Sequence, residues 1–536
     1  MVSTIKTFRL LVVVLISTGL FANSGCESKD KKETSGSASE SDDSTSSSVG
    51  DKGDDKETTS DSDTISIDGD LSAADWRSMI GEEVTIKGDL VVVDTFNLIR
   101  RGQIRVARNR LYVPTNQIDP NDAESNGNSY EGGSNVANVT KAQKRNDEST
   151  IIIDDGSDDQ AIFPPKLFPS LGSANLTVRV GSIVQGVSGK LVEDGNRIFL
   201  VPNGPLRWTP AERPKRPDVG EADVTVASFN VLNFFTTIDD GSNNARGADS
   251  ASELRRQQAK LVSAIVTMDA DVIGLMEIEN NIEAENKLVA ALNAKIGKEV
   301  FTGCGLPEGF RGAPGGVDAI RVGIIYRSDR VSTVGEVSMI SDDAFEKARV
   351  PVVQEFTSKT LENPFTLVVN HFKSKGGSSR ADAANKNKGD GQGAFNALRR
   401  SQALAICNYI DELEQAKPEA RVLVIGDLNA YGQEDPIDAM RAKGLVDLTE
   451  RFEKSDSSTN ETESYSYVYR GQAGSLDHSI ATEALAKDVT GVATWHINAD
   501  EPRFVDYNEE YNPEQLYKAN PYRSSDHDPV LIGIGD

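Results

Sequence analysis

The stretch that decides the fold reads Val422-Leu423-Val424-Ile425-Gly426-Asp427-Leu428-Asn429. Four apolar, mostly β-branched residues in a row predict a strand that is buried on both faces. The strand runs into a glycine, a carboxylate and an amide. An Asp-X-Asn sequence after a strand often forms a turn or begins a helix, but the same side chains also supply the oxygen ligands that hard cations prefer. This stretch alone leaves both interpretations open.

The same arrangement recurs along the C-terminal half of the chain. Five further polar groups adjoin apolar stretches: Ser228-Phe229-Asn230, Met276-Glu277, Asn370-His371-Phe372-Lys373, Leu476-Asp477-His478 and Ser525-Asp526-His527-Asp528-Pro529. A single histidine is more often structural than catalytic, yet three of the four histidines of the chain lie in these groups. We therefore expect several strand ends to meet at one rim of a sheet, with oxygen ligands and imidazoles side by side.

Strand-like and helix-like patterns alternate across this half. Apolar runs predict strands at residues 224–229, 272–276, 319–326, 365–369, 422–425 and 476–480, and helical spacing of apolar residues predicts helices at 252–268 and 395–413. This alternation predicts a layered α/β domain spanning residues 221–536.

The preceding residues, 71–215, have a different pattern. Short apolar runs at residues 84–86, 90–93, 176–180 and 197–201 are bounded by Gly, Asp and Asn, which is typical of strands and turns. They predict a small all-β domain, either a barrel of the oligonucleotide-binding kind or a sandwich. A polar insert at residues 121–149 is expected to be a loop. The domain could pack against the α/β domain or form a substrate platform.

The N-terminus has the pattern of an export signal. Residues 1–26 begin with a basic stretch and continue with an apolar run at residues 10–20, which is short for a membrane span. Small residues before Cys26 resemble a lipoprotein cleavage site, although Asn23 stands where such sites usually have Leu. We expect an exported protein, extracellular or at the cell surface or in the periplasm, and a lipid anchor at Cys26 stays open.

The net charge of the chain argues against a simple basic nucleic-acid binder. The 536 residues carry a net charge of −26. Residues 27–70 hold 14 Asp and Glu against five Lys and supply nine of these negative charges. Their Ser-rich, polar composition predicts a disordered linker. The remaining acidity is compatible with a nuclease, because a site that holds cations needs carboxylates.

Cysteine usage predicts little covalent bracing. Only Cys304 and Cys407 follow the signal segment. They could form one disulfide in an oxidising compartment or remain two buried thiols.

Taken together, these groups resemble the endonuclease/exonuclease/phosphatase superfamily, which includes pancreatic-type DNase and apurinic endonuclease. The bacterial extracellular nuclease branch is the more specific resemblance. The stretches that carry it are residues 229–235, 370–376, 389–393 and 495–502, in the order of that family. Relatives in this branch often have a cysteine where this chain has Ala394, which leaves the pairing of Cys304 open.

The resemblance implies a DNase I-like catalytic domain, a four-layered α/β sandwich, preceded by the small all-β domain. It implies a metal-dependent nuclease, with Mg²⁺ the expected ion and Mn²⁺ or Ca²⁺ as alternatives. The implied roles are metal binding by Asn230, Glu277 and Asp526, catalysis by His371, Asp427, Asn429, Asp477 and His527, and substrate binding by Arg256 and Lys373. His478 and His496 are expected to be structural.

Within these roles, the resemblance implies that His527 acts as general base or phosphate contact and that Asp477 orients it. His371 would lie near the leaving group, and Asp427 with Asn429 would position the nucleophile and the phosphate or hold a second ion. For Arg256 and Lys373, a solvated surface role is an equal alternative to phosphate binding.

Three functional interpretations remain at this point. The first is a nuclease, with DNA cut internally as the main expectation and RNA or exonucleolytic cutting open. The second is a phosphoesterase of the same fold that acts on phospholipid or phosphoinositide headgroups. The third is a non-catalytic surface binding protein, which the presence of all the implied catalytic residues disfavours. No protein partner is indicated, and we expect a monomer.

Overall fold

The computed structural model describes residues 64–121, 134–172, 176–453 and 464–535. The predicted signal segment, with Cys26, and most of the predicted linker therefore lie outside the described residues. Among the described residues, no helix combines the length and apolar character needed to cross a membrane.

The first part of the described chain is rich in strands. Its elements are β1 (Ile65–Ile67), β2 (Glu83–Asp94), α1 (Leu98–Arg101), β3 (Gln103–Ala107), β4 (Leu111–Tyr112), α2 (Pro114–Gln117), α3 (Val136–Glu148), β5 (Thr150–Asp154), β6 (Ile183–Asp194), β7 (Arg197–Pro202) and β8 (Arg207–Thr209).

Five of these strands close into a ring. The pairing runs β2–β3–β5–β7–β6, and β6 pairs back with β2. Only the β5–β7 pair is parallel. Closure leaves these five strands no free edge, and their inward side chains form a separate apolar core that includes Val84, Leu90 and Leu200. The assignment to the oligonucleotide-binding class stays a prediction, and the closed five-stranded ring supports it.

Two predictions for this part need correction, the end of the linker and one strand. The linker, predicted to extend to residue 70, ends earlier, because Ile65–Ile67 pair in parallel with Val84 to Ile86 and pack against the barrel core. Residues 176–180 do not form a strand. Their backbone and side chains bond to the C-terminal part of the chain instead: the Val180 N–H donates to the Asp500 carbonyl, and the buried Arg179 pairs with Glu501.

The insert predicted as a loop at residues 121–149 contains helix α3 over most of its second half. Val139 is the buried residue of this helix. The Val139 side chain packs closely against Gly391: a Cβ atom added to Gly391 would lie only 2.6 Å from Val139 Cγ1. The mostly polar insert therefore contains a helix, whose Val139 contacts the second part of the chain and whose Asn146 donates to Gln472 Oε1 at 2.7 Å.

The second part alternates strands and helices. Its elements are β9 (Val224–Phe234), α4 (Ala251–Met268), β10 (Val272–Glu279), α5 (Ile282–Ile296), β11 (Phe301–Gly303), β12 (Ile320–Arg327), β13 (Val331–Met339), β14 (Val352–Ser358), β15 (Phe365–His371), α6 (Asn396–Ala416), β16 (Val422–Asp427), α7 (Asp435–Ala442), β17 (Val446–Asp447), α8 (Leu448–Glu453), β18 (Tyr467–Tyr469), β19 (Gln472–Gly474), β20 (Asp477–Ala481), α9 (Glu483–Ala486), β21 (Val489–Thr494) and β22 (Val530–Ile534).

Two six-stranded sheets stack face to face in this part. Their orders are β11-β12-β10-β9-β22-β21 and β13-β14-β15-β16-β20-β17. One apolar core lies between them, with residues such as Val226 and Ile425. Helices α4 and α5 cover the outer face of the first sheet, and α6 and α7 cover that of the second. The domain thus has four layers, as a DNase I-like fold requires, and this prediction is confirmed.

The two sheets approach each other closely behind the strand ends. A Cβ on Gly274 of β10 would lie 2.6 Å from Ile425 Cδ1 and 2.9 Å from Val369 Cγ2. Only glycine fits at this contact. It brings the carboxyl ends of β9 and β10 opposite those of β15 and β16.

The two cysteines of the described chain do not pair. Cys304 and Cys407 are both free, and Cys407, on α6, is buried in the core. The alternative of two unpaired thiols, left open by the sequence, is the one found.

Candidate active site

The strand register places the predicted residues side by side. In the second sheet, His371 on β15 is paired with Asp427 on β16, and Asp427 is paired with Asp477 on β20. In the first sheet, Asn230 on β9 is paired with Met276 on β10, next to Glu277. Parallel strands end at the same rim, and the antiparallel strand β20 begins there with Asp477. The two sheets therefore present five polar side chains to one cleft.

Glu277, His371 and Asp427 form the centre of the cleft. Each offers one ligand atom, and the three atoms lie within 4.8 Å of one another. His371 Nε2 is 3.3 Å from Asp427 Oδ2 and 4.0 Å from Glu277 Oε1. Asn230 Nδ2 donates to Asp427 Oδ2 at 3.4 Å. Glu277 and Asp427 come from different sheets, so packing of the two sheets assembles the group.

Backbone irregularity at the end of β10 aims Glu277 into the cleft. The pairing with both neighbouring strands shifts register between Leu275 and Ile278. Glu277 itself has φ 62°, in the left-handed region that costs a non-glycine residue of order 1 kcal/mol. Its Oε2 accepts the N–H of Asn233 at 3.1 Å. A bulge that redirects a side chain is common beside active sites.

A second pair, His527 and Asp477, flanks the centre. His527 Nδ1 donates to Asp477 Oδ2 at 2.7 Å, and its Nε2 lies 3.9 Å from Asp427 Oδ2. Burial opposes the charged imidazole, but the carboxylates of Asp477 and Asp427 outweigh it and raise the pKa of His527 well above its usual value. The ring is therefore oriented with Nε2 toward the cleft.

His371 has the opposite electrostatic environment. Burial, and then the Arg349 guanidinium, lower the pKa of His371 to about 4. Although burial works the other way for a carboxyl group, His527 and His371 hold the pKa of Asp427 well below its usual value. Asp427 is thus an acceptor only, and the neutral His371 ring donates from Nε2 to it. The two histidines of the cleft differ in protonation, as an acid–base site needs.

Asn429 and Asp526 complete the predicted set. Asn429 has φ 48°, its backbone N–H donates to Asp427 Oδ1 at 2.9 Å, and its Nδ2 donates to the Phe372 carbonyl at 3.2 Å. The turn and the site are therefore the same structure. Asp526 is partly exposed, and its charge acts on both Glu277 and His527.

The two predicted substrate contacts lie in different places. Lys373 is half-buried with Nζ 5.0 Å from the centre of the Phe395 ring, and burial and then the nearby Arg349 lower its pKa. Arg256 lies on α4, where it pairs with Glu509 at 3.3 Å and stacks 4.1 Å from the centre of the Tyr517 ring. In the described residues, these contacts tie Arg256 to the outer helical layer rather than to the cleft centre. Lys373, in contrast, is two residues after His371 in the chain.

Three residues that sequence reasoning missed belong to the cleft. Arg349 is buried, donates to the Phe372 carbonyl at 2.9 Å and acts electrostatically on Glu277. Ser466 Oγ donates to Asp477 Oδ2 at 2.6 Å, and the Tyr467 ring stacks on His527 with centroids 4.6 Å apart. None of the three ends an apolar strand, so the pattern that found the other residues carries no signal for them.

The two remaining histidines have structural partners. His478 Nε2 bonds to the Ala430 carbonyl at 2.8 Å. His496 Nδ1 bonds to Asp528 Oδ2 at 2.9 Å, and its ring stacks on Tyr465 with centroids 4.0 Å apart. Both placements agree with the structural roles expected from the sequence.

The sequence model of the Endonuclease/Exonuclease/phosphatase family matches residues 227–527, more than half of the chain and the whole span from Asn230 to His527. The chain belongs to this family. Its members are hydrolases such as phosphodiesterases and phosphatases. No curated protein matches the chain significantly.

Several solved structures are similar to part of this chain. An endonuclease/exonuclease/phosphatase family protein from Bacteroides thetaiotaomicron is 16% identical, with 58% of this chain and 95% of that chain covered and a TM-score of 0.36. The human Nocturnin catalytic domain with bound sulfate is 14% identical, with 59% and 95% covered and a TM-score of 0.37. D. rerio TDP2 complexed with single-strand DNA product is 16% identical, with 58% and 99% covered and a TM-score of 0.36.

This family depends on divalent metals, and the donor set of the cleft fits one. Glu277, Asp526 and Asp427 supply carboxylate oxygens and Asn230 supplies an amide oxygen, which are the ligand types that Mg²⁺ prefers. Burial, and then the Asp526 carboxylate, raise the pKa of Glu277 to about 7. Crowded carboxylates of this kind are stabilised by a cation between them.

Residues of the barrel part of the chain contact the segment that supports the cleft. Strand β4 of the barrel part pairs in parallel with β19, and β19 pairs with β18, which carries Tyr467. Asn116, on α2, is buried; its Oδ1 accepts the Ser475 N–H at 2.9 Å and its Nδ2 donates to the Ser464 carbonyl at 3.2 Å. One amide thus fastens both ends of the segment that supports His527 and Asp477.

Replacing Asn116 with Ala is therefore expected to lower kcat by roughly tenfold, because two buried backbone groups lose their partner and each such loss costs about 1–3 kcal/mol. The rate should be measured well below the melting temperature of the variant, so that unfolding does not contribute. Asn203→Ala, at an exposed barrel residue that bonds Glu83, is the matched control. Full kcat in N116A, with only a lower melting temperature, would show that the segment does not depend on this anchor.

Proposed function

We propose that the protein is an exported, divalent-metal-dependent nuclease that hydrolyses phosphodiester bonds, cutting DNA internally. The observation that carries the proposal is the cleft centre of Glu277, His371 and Asp427, with the His527–Asp477 pair beside it. Hydrolysis of a phosphodiester requires a cation to neutralise the phosphate and a base to activate water. A group of carboxylates can hold the cation, and a histidine oriented by a carboxylate can act as the base.

The contacts support the following roles. Glu277, Asn230 and Asp526 would hold the divalent ion, which supplies charge neutralisation at the scissile phosphate and at the leaving oxygen. In its neutral form, His527 would accept the proton of the attacking water at Nε2, because its Nδ1–H is committed to Asp477. Asp477 then stabilises the imidazolium that forms.

The other cleft residues would handle the phosphate. His371 is neutral and has a single N–H, on Nε2, which it would share between Asp427 and the phosphate. Asp427 fixes its donor nitrogen. Asn429 would position the phosphate, and the positive charges of Lys373 and Arg349 favour an anionic substrate at this end of the cleft.

The finer parts of the proposal rest on the sequence. The stretches at residues 229–235, 370–376 and 495–502 resemble bacterial extracellular nucleases, and this resemblance supports DNA as substrate. The export signal of residues 1–26 supports a location outside the cytoplasm, and a mass measurement on the mature protein would show cleavage before Cys26 with added lipid or elsewhere without it.

The decisive experiment uses the purified full chain and supercoiled plasmid. With Mg²⁺ we expect nicked and then linear DNA, and with EDTA we expect none. Linear duplex with blocked ends should be cut equally well, since cleavage is internal, and RNA tested in parallel reports substrate choice. A preparation that leaves plasmid, linear DNA and RNA intact with Mg²⁺, Mn²⁺ and Ca²⁺ would refute the nuclease proposal.

A further inference from the structure

A hairpin leads from the cleft to the barrel. It consists of β18 and β19, joined by a two-residue turn, Arg470-Gly471. Tyr467 at its near end stacks on His527. Tyr469 is two residues further along the same strand and so faces the same side. At the far end, Gly471 lies against Val93 of barrel strand β2, with its Cβ position 3.2 Å from Val93 Cγ2.

The turn of this hairpin has an arginine at a position whose backbone conformation is unfavourable for a residue with a Cβ atom. Arg470 has φ 50° and Gly471 has φ 81°. Two-residue hairpins with both φ values positive strongly prefer Asn or Gly at the first position, because a Cβ is strained there. Departures from local preference that the fold does not need tend to mark functional sites.

The guanidinium of Arg470 is available for a ligand. The residue is exposed, and its carbon Cζ lies 5.2 Å from the centre of the Tyr469 ring. Within the described residues, no ion pair to Arg470 is formed. Arg105 of β3 donates to its carbonyl at 3.4 Å, which brings a second guanidinium to the same edge. The Asp94 carboxylate of β2 acts electrostatically on both guanidinium groups. The hairpin therefore presents aromatic side chains next to His527 and an exposed guanidinium at its turn.

We propose that the hairpin face formed by Tyr467, Tyr469 and Arg470 binds a single-stranded segment of the nucleic-acid substrate on the barrel side of the scissile phosphate. A base packs on the Tyr469 ring and a phosphate contacts the Arg470 guanidinium. This inference rests on the proposed nuclease function and names the subsite beyond it. Aromatic faces that stack bases, combined with arginines that contact the backbone, are the usual chemistry of single-strand binding.

The two interactions have different signatures, so two variants separate them. Affinity for a fluorescein-labelled 12-nucleotide oligo-dT is measured by anisotropy in an E277Q background, at several salt concentrations. Arg470→Gly should weaken binding several-fold and flatten the slope of log K against log salt by about 0.7, the value for one single-strand phosphate contact. Tyr469→Ala should weaken binding by about tenfold or more and leave that slope unchanged.

Melting temperatures distinguish a loss of binding from a loss of folding in these variants. Because glycine relieves the positive φ at position 470, R470G should melt at the same or a higher temperature than its parent while it binds more weakly. Arg255→Ala, at an exposed residue of α4 in the outer layer, is the charge-matched control and should change neither affinity nor slope.

Activity supplies a second measurement, made on variants that keep Glu277 and are therefore expected to be active. The ratio of kcat/KM for a single-stranded oligonucleotide to that for bis(p-nitrophenyl) phosphate should fall about tenfold in Y469A and several-fold in R470G, since only the oligonucleotide reaches the hairpin. R255A should keep the parental ratio.

The possible failures are distinguishable. Unchanged affinity and slope in R470G, in a protein that cuts DNA, overturn the hairpin subsite alone. Loss of binding to phosphatidylinositol-phosphate vesicles, with oligonucleotide binding intact, would assign the hairpin to a lipid headgroup and also overturn it. A parent protein that hydrolyses bis(p-nitrophenyl) phosphate but neither binds nor cuts oligonucleotides overturns both the subsite and the proposed nuclease function.

Discussion

Glu277→Gln should lower turnover on plasmid DNA by roughly 10³-fold or more, equal to about 4 kcal/mol of activation barrier, in a protein that stays folded. The substitution keeps the shape of the side chain and its acceptor for the Asn233 N–H. It removes a charge from the group that also contains Asp427 and Asp526. The variant therefore tests the need for this carboxylate rather than the need for a side chain.

The stability of the same variant should change in the opposite direction to its activity. In EDTA, Glu277 is crowded by Asp526 and Asp427 in a buried cleft, and removing one of these charges relieves repulsion. The melting temperature of E277Q in EDTA should equal or exceed that of the parent, while the rise that the parent shows on adding Mg²⁺ should shrink. Differential scanning fluorimetry with and without Mg²⁺ measures both.

Glu283→Gln is the matched control for this prediction. Glu283 is exposed in the first turn of α5, six residues along the chain from Glu277. It should retain parental turnover and the parental response to Mg²⁺. An E277Q protein with more than a tenth of parental turnover would contradict the metal-binding role of Glu277.

The layered domain and the cleft centre could be predicted because one signal covers both. An apolar run that ends in a polar group predicts a buried strand and also the side chain at its rim. Residues 365–369 and 422–425 lie in β15 and β16, and the rim residues His371 and Asp427 are paired in the structure. Because that signal is local in sequence, it could identify the polar residues that lie at strand ends.

The supporting residues could not be predicted because they depend on contacts distant in sequence. Tyr467 becomes part of the cleft only through its stacking on His527, 60 positions later. Asn116 matters only because the barrel docks on residues 464 and 475. Arg349 contacts the Phe372 carbonyl from a loop before β14. Periodicity carries no information about such pairings, which tertiary packing determines.

The errors in the barrel have the same physical origin. Residues 176–180 have the composition of a strand, but Arg179 is committed to ion pairs with Asp500 and Glu501 and is buried. A buried guanidinium needs carboxylate partners. Those partners lie more than 300 residues away, so satisfying them overrides local β propensity.

The second large effect is expected for Asp477→Asn, which should lower kcat by about 10²- to 10⁴-fold, the range associated with a general acid–base group. The carboxylate accepts His527 Nδ1–H at 2.7 Å and the Ser466 hydroxyl at 2.6 Å. An amide of the same shape can present its NH₂ to the imidazole, which favours the wrong tautomer and leaves Nε2 unable to accept a proton.

The pH dependence of D477N distinguishes this account from a loss of structure. In the parent, Asp477 and Asp427 raise the pKa of His527, so the neutral base forms, and kcat/KM rises, only at higher pH. With Asp477 uncharged, the pKa of His527 falls, and the rising limb of the pH–rate profile should move to lower pH while its plateau drops. A denatured fraction would lower the plateau without moving the limb.

A double-substitution cycle completes the argument for the His527–Asp477 pair. If Asp477 acts only through His527, then D477N/H527A should be no slower than H527A alone, because residues that act as a unit are strongly non-additive. Asp411→Asn is the matched control, since that partly exposed carboxylate on α6 pairs with Lys443 far from the cleft. A further loss in the double variant beyond H527A would mean that Asp477 supports the cleft by another route. An unshifted limb in D477N would mean that the base that titrates in this limb is not His527.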